Sequence, residues 1–148
     1  MSLKERINED MKAALKARQS ERLSAIRLLM AAVKQKEIDE RTTLDDAAVI
    51  SVVERLIKQR RDSIEQFQAA GRTDLADKES AELELLQQYL PQPLSEKDLA
   101  AAIEAAVAEA NASGPQAMGK VMAILKPRLA GRADMGRVSS LVKAKLNP

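Results

Sequence analysis

Residues 83–103 read "LELLQQYLPQPLSEKDLAAAI", and the way this stretch is read decides the architecture. Leu83, Leu86 and Leu90 recur at three- and four-residue spacing, the period of one helix face. Pro91 and Pro93 then remove two amide donors within three positions and stiffen the chain. Ser95 follows with Glu96 and Asp98 behind it: an N-cap, with acidic residues in the first turn where the helix dipole favours them. Leu99, Ile103 and Val107 resume the helical period. The stretch is helix, stop, start, helix. It predicts an all-α chain with a helical domain over 1–90, a linker over 91–94 and a second, smaller helical unit over 95–148.

Working outward, four helices are expected before the prolines. Ser2 and Glu5 form a capping box, followed by a stripe of Leu3, Ile7, Met11 and Leu15. Ser20 starts a second helix carrying Leu23, Ile26, Met30 and Val33. Thr42 or Thr43 is expected to cap the third, whose stripe is Val49, Val53, Leu56, Ile57, Ile64 and Phe67 and whose end is marked by Gly71. Thr73 is expected to cap the fourth. Three helices follow the linker. The first of these fades in "NASGP", the second opens near Pro115 and carries Met118, Val121, Met122, Leu125 and Leu129, and the last follows Asp134 with Val138, Leu141, Val142 and Leu146. No segment alternates with the period of two that a strand requires.

Composition narrows the chemistry. The chain has 148 residues and contains neither cysteine nor histidine, which removes thiolate and imidazole metal sites and every nucleophile–histidine arrangement. No catalytic residue, cofactor or metal is expected. No apolar run reaches the ~18 residues of a membrane span, and "MSLKERINED" lacks the apolar centre of a secretory leader; together these point to a cytoplasmic protein. Net charge is +2 but unevenly spread. Residues 1–90 hold 16 basic and 17 acidic side chains, whereas residues 115–148 hold seven basic and one acidic. That asymmetry suggests an anionic partner for the C-terminal end.

The corner "KPRLAGRADMG" at residues 126–136 concentrates this charge. Gly131 stops one helix and Asp134 caps the next. A capping Asp134 takes up that helix start and repels an anion, so Arg128, Arg132 and Arg137 are either the source of phosphate contact at the corner or solvated surface charge. Pro127 interrupts the preceding helix, and Gly119 sits inside it at a cost of roughly 1 kcal/mol relative to alanine. Gly119, Ala123, Lys126 and Ala130 share one side, which leaves room either for a neighbouring helix or for an RNA backbone beside Lys120 and Lys126. Lys143 and Lys145 either complement the dipole of the last helix or touch RNA. Arg60 falls on an apolar seam and is expected to need a carboxylate from another helix, Glu79 or Glu82. With one Phe and one Tyr in the chain, both before residue 90, the C-terminal unit has no ring on which to stack bases. Any RNA it binds is read by backbone and shape.

"MGKVMAILKPRLAGRADMGRVSSLVKAKL" (Met118–Leu146) closely resembles the signature of the GatB/YqeY tail domain. "NEDMKAALKAR", "LSAIRLLMAAVKQKEID", "IKQRRDSIEQFQAAGRTDLADKE" and "LELLQQYLPQPLS" extend the resemblance to free-standing YqeY-like proteins over the whole chain. In the GatB component of the glutamine-dependent aspartyl/glutamyl-tRNA amidotransferase, the tail follows a catalytic cradle and helps hold the tRNA body. The resemblance therefore implies a four-helix domain plus a three-helix tail, with tRNA or another structured RNA as partner. It suggests a tRNA amidotransferase or an aminoacyl-tRNA synthetase as protein partner. Matching the motif residue by residue gives Gly119, Lys120, Lys126, Arg128, Arg132 and Arg137 as RNA contacts. The helices begin at residue 2, so the cradle and its catalysis are expected to be missing. A non-catalytic tRNA-binding accessory protein is the leading reading. The alternatives are a carbon–nitrogen ligase component with glutamine as amido-N-donor, and a helical protein–protein adaptor.

Overall fold

The Ser2 hydroxyl accepts the amide of Glu5 at 3.1 Å while the Glu5 carboxylate accepts the amide of Ser2 at 3.1 Å, so α1 (Leu3–Lys16) begins with a complete capping box. The computed structural model, which describes residues 1–147, is all-α, with no strand among the described residues. α1 buries Ile7 and Ala14, with Leu3 and Met11 at the margin of the core. Leu15, expected inward, is 53% exposed. A four-residue repeat drifts against the 3.6-residue turn by about 40° per step, so after three steps from Leu3 the stripe has left the core and Ala14 takes its place.

α2 (Ser20–Glu40) buries Ala25, Ile26, Leu29 and Val33. Its opposite face leaves Leu28 50% and Ile38 60% exposed. The cap of α3 (Asp46–Ala69) is Asp45, whose side chain accepts the amide of Ala48 at 2.9 Å. Thr42 and Thr43 therefore lie outside the cap. The next residue, Asp46, accepts the amide of Leu3 at 2.9 Å and so satisfies a free donor at the start of α1. Gly71 (φ +73) closes α3 in a left-handed turn. The amide of Arg72 reaches the Phe67 carbonyl at 2.8 Å and that of Gly71 reaches Gln68 at 3.1 Å, the pair of bonds expected of a glycine-terminated helix. Thr73 is the first residue of α4 (Thr73–Gln87), and its predicted capping role is not seen: Arg72 precedes it and makes no side-chain cap.

Arg60 is 18% exposed, with its Nε 2.8 Å from Glu82 and 3.1 Å from Glu79, which pins α3 against α4 through both expected carboxylates. Nε carries a single proton and Glu82 takes it. Beyond α4, Tyr89 is buried and its hydroxyl donates to Asp10 at 2.7 Å. Arg6 lies over the ring at 5.0 Å and donates to the Gln88 carbonyl at 2.9 Å. These contacts tie the end of the fourth helix back to the first.

The chain divides into two compact units, Met1–Leu90 and the segment from Pro91 onward. In the second, Ser95 caps α5 (Glu96–Glu109) by accepting the Asp98 amide at 3.1 Å. A 3₁₀ turn (Pro115–Ala117) leads into α6 (Met118–Leu129), and α7 (Met135–Leu146) follows the corner. The core gathers Leu99, Ile103 and Ala106 of α5, Val121, Met122, Leu125 and Leu129 of α6, and Val138, Val142 and Leu146 of α7. Each fully buried Val or Leu side chain contributes about 1.5–3 kcal/mol. Pro127 lies within α6, near its end, and is exposed.

Candidate nucleic-acid interface

The corner between α6 and α7 is built as a turn. Gly131 adopts φ +73, and the Asp134 side chain accepts the Arg137 amide at 3.3 Å. The three arginines around it turn inward to partners in their own unit. Arg128 makes a two-pronged pair with Glu109 of α5, one arm at 2.8 Å. The Glu109 carboxyl is held below the usual carboxylate range by the Arg128 hydrogen bond, and the Arg128 guanidinium is raised in turn by Glu109. Arg137 donates to Glu96 at 2.5 Å. Arg132 donates to the Gln92 carbonyl at 3.2 Å, and its own carbonyl accepts the Leu94 amide at 3.0 Å, so it fastens the segment after Pro91 to the corner. The arginines that the sequence reading placed against phosphate thus each have an intramolecular use.

The remaining cations behave differently. Lys120 and Lys126 of α6 and Lys143 of α7 are exposed, with no carboxylate partner among the described residues. Lys145 faces Glu104 at 3.9 Å. Lys120 and Lys126 stand about 120° apart around α6, one on either side of exposed Ala123. Gly119 shares this outward face, and a Cβ built on it meets nothing within 4 Å. Room for a neighbouring helix does not explain the glycine, because no described residue of another helix lies within 4 Å of that Cβ. The outward side of α6 is a smooth strip of Gly119, Ala123 and Pro127 edged by two uncommitted ammonium groups.

The structure therefore splits the six expected contacts. Gly119, Lys120 and Lys126 lie on the open face of α6, while Arg128, Arg132 and Arg137 brace the fold. What the sequence reading missed is the role of the α5 carboxylates. Counting charge from residue 115 left out Glu96, Glu104 and Glu109, which face Arg137, Lys145 and Arg128. A signal was available: Glu96 and Glu104 are eight residues apart, as are Arg137 and Lys145. Among the described residues no group of three or more acidic side chains is arranged to hold a metal, and no helix is long and apolar enough to cross a membrane.

The model of the Yqey-like protein family matches residues 4–146. This chain is a YqeY-like protein. Among curated proteins it is similar to "Altered inheritance of mitochondria protein 41, mitochondrial" from several fungi. The Lachancea thermotolerans protein is 33% identical over 95% of the YqeY-like chain and 76% of its own length. The Pyrenophora tritici-repentis protein is 30% identical over 83% and 71%. The Eremothecium gossypii protein is 40% identical, but over 57% of the chain and 46% of its own length. These names correct the cytoplasmic expectation, since the relatives are designated mitochondrial. The inference failed because a chain without cysteine, and without a helix long and apolar enough to cross a membrane, is compatible with more than one compartment.

Proposed function

We propose that this YqeY-like protein is a non-catalytic RNA-binding accessory protein whose second unit grips the backbone of a folded RNA, with tRNA the substrate class the GatB resemblance favours. The observation that carries the reading is the open face of α6. Lys120 and Lys126 are uncommitted beside Gly119, a residue that costs helix stability and serves no internal packing. A helix face without bulky side chains lets a sugar–phosphate chain approach the backbone closely, and lysines at its edges supply point charges without reading bases. With no aromatic ring in the unit, contacts to phosphate and shape dominate.

Affinity for a transcribed tRNA, measured across a salt titration, tests this. Binding should weaken steeply with salt, each phosphate contact adding roughly 0.7–0.9 to the log–log slope. Lys120→Ala, Lys126→Ala and Lys143→Ala combined should lower the slope by about two. No binding at low salt refutes the reading. The adaptor alternative keeps one observation of its own, the exposed Leu28 and Ile38 on the outer side of α2. Unchanged tRNA binding in the triple lysine variant would turn attention there.

A further inference from the structure

The second unit carries its own competitor for phosphate. Of the seven cations in residues 115–148, three face carboxylates of one helix: Arg128 with Glu109, Arg137 with Glu96 and Lys145 with Glu104. Two of the pairs form a register. Arg137 and Lys145 on α7 are eight residues apart, matched by Glu96 and Glu104, eight apart on α5. None of the pairs is buried, since all six side chains are at least half exposed. Exposed pairs of this kind are held weakly and are screened by salt. The two-pronged geometry with which Arg128 holds Glu109 is also the geometry with which arginine holds phosphate.

We propose that α5 is an electrostatic gate on the RNA surface: Glu96, Glu104 and Glu109 occupy three cations that a closely spaced run of phosphates displaces them from. This rests on the reading of the second unit as RNA-binding. In the free protein the exposed cations of residues 115–148 that face no carboxylate among the described residues are Lys120, Lys126 and Lys143, so an isolated anion meets a weak site. A folded RNA brings many phosphates at once and gains from counterion release, and it exchanges phosphate for carboxylate at Arg128, Arg137 and Lys145. The gate acts by position on the fold; Glu96, Glu104 and Glu109 need not touch the RNA.

The test is the salt titration of tRNA binding with the full chain carrying Glu96→Gln, Glu104→Gln and Glu109→Gln. Freed cations should tighten binding by about tenfold or more at moderate salt and steepen the log–log slope by roughly two. A control variant with Glu21→Gln, Asp77→Asn and Glu84→Gln has the same net charge but is altered in the first unit, and should change little. Circular dichroism confirms that each variant is folded, and Glu104→Gln alone, removing the longest of the three pairs, gives a second variant with minimal structural risk. A purely bracing role for α5 predicts lower thermal stability with affinity unchanged or weaker, and that result overturns the gate. Equal tightening in the control also overturns it. If neither wild type nor variant binds tRNA at low salt, the RNA reading itself fails. Wild-type binding without tightening sinks the gate alone.

Discussion

Glu37 joins three parts of the first unit through one carboxylate. It receives the Lys4 ammonium at 2.6 Å and the Leu44 amide at 2.8 Å. The Lys4 hydrogen bond and then the Leu44 amide pull its pKa below the ordinary 4.5, against a smaller opposing effect of burial. A carboxyl with a lowered folded-state pKa stabilises the protein above its unfolded value, and that contribution is lost as pH falls through the folded value. Glu37→Gln should therefore melt lower than wild type at pH ~7, and the gap should narrow as pH drops below about 4.5. Thermal unfolding by circular dichroism at the two pH values measures this; a gap that stays constant would contradict it. At this same scale the sequence was informative where burial and charge conflicted. Arg60 on an apolar seam demanded a carboxylate, and Glu79 and Glu82 both supply one. It was silent on Glu37, because its partners Lys4 and Leu44 meet only once the helices are folded together.

At the scale of helices, start and stop signals were legible wherever a side chain acts on its own backbone. Ser2, Ser95, Asp134, Gly71 and Gly131 all serve as their local chemistry suggests. Thr42, Thr43 and Thr73 misled because Asp45 is a better acceptor placed one turn from Ala48, and because α4 starts without a side-chain cap. Two glycines make opposite predictions. Gly71 has φ +73 and Gly119 lies in open helix, and neither would clash on gaining a methyl group. Gly71→Ala should cost about 1–2 kcal/mol, the penalty of a left-handed backbone for an L-residue. Gly119 is the second residue of α6, so Gly119→Ala should stabilise by less than the roughly 1 kcal/mol of a helix interior. If the face of α6 meets RNA, Gly119→Ala should also weaken tRNA binding while it raises the melting temperature. A gain in stability with full affinity would remove Gly119 from the interface.

At the scale of the molecule, each unit has a separate hydrophobic core. The core of the second is the smaller and rests on a few aliphatic side chains. Leu125 is fully buried there, and Leu125→Ala should cost about 2–5 kcal/mol through lost burial and the cavity left behind. Hydrogen exchange should show protection lost across α5, α6 and α7; protection retained there would contradict the assignment of Leu125 to the centre of that core. The helical class was legible because the apolar period persists along the chain, and the family because long motifs match. The candidate site was half legible: the sequence shows which side chains are basic, but not which of them the fold has already paired.

The placement of Tyr89 has a practical consequence. It is the chain's one tyrosine, tryptophan is absent and the lone phenylalanine is Phe67, so every aromatic chromophore belongs to the first unit. The second unit contributes nothing at 280 nm, and a nucleic acid bound to it would bury the tyrosine signal under its own absorbance. With no native cysteine to compete, Ala123→Cys on the open face of α6 would provide a unique thiol for a dye, and the unit that has no colour of its own would become the one that can be watched.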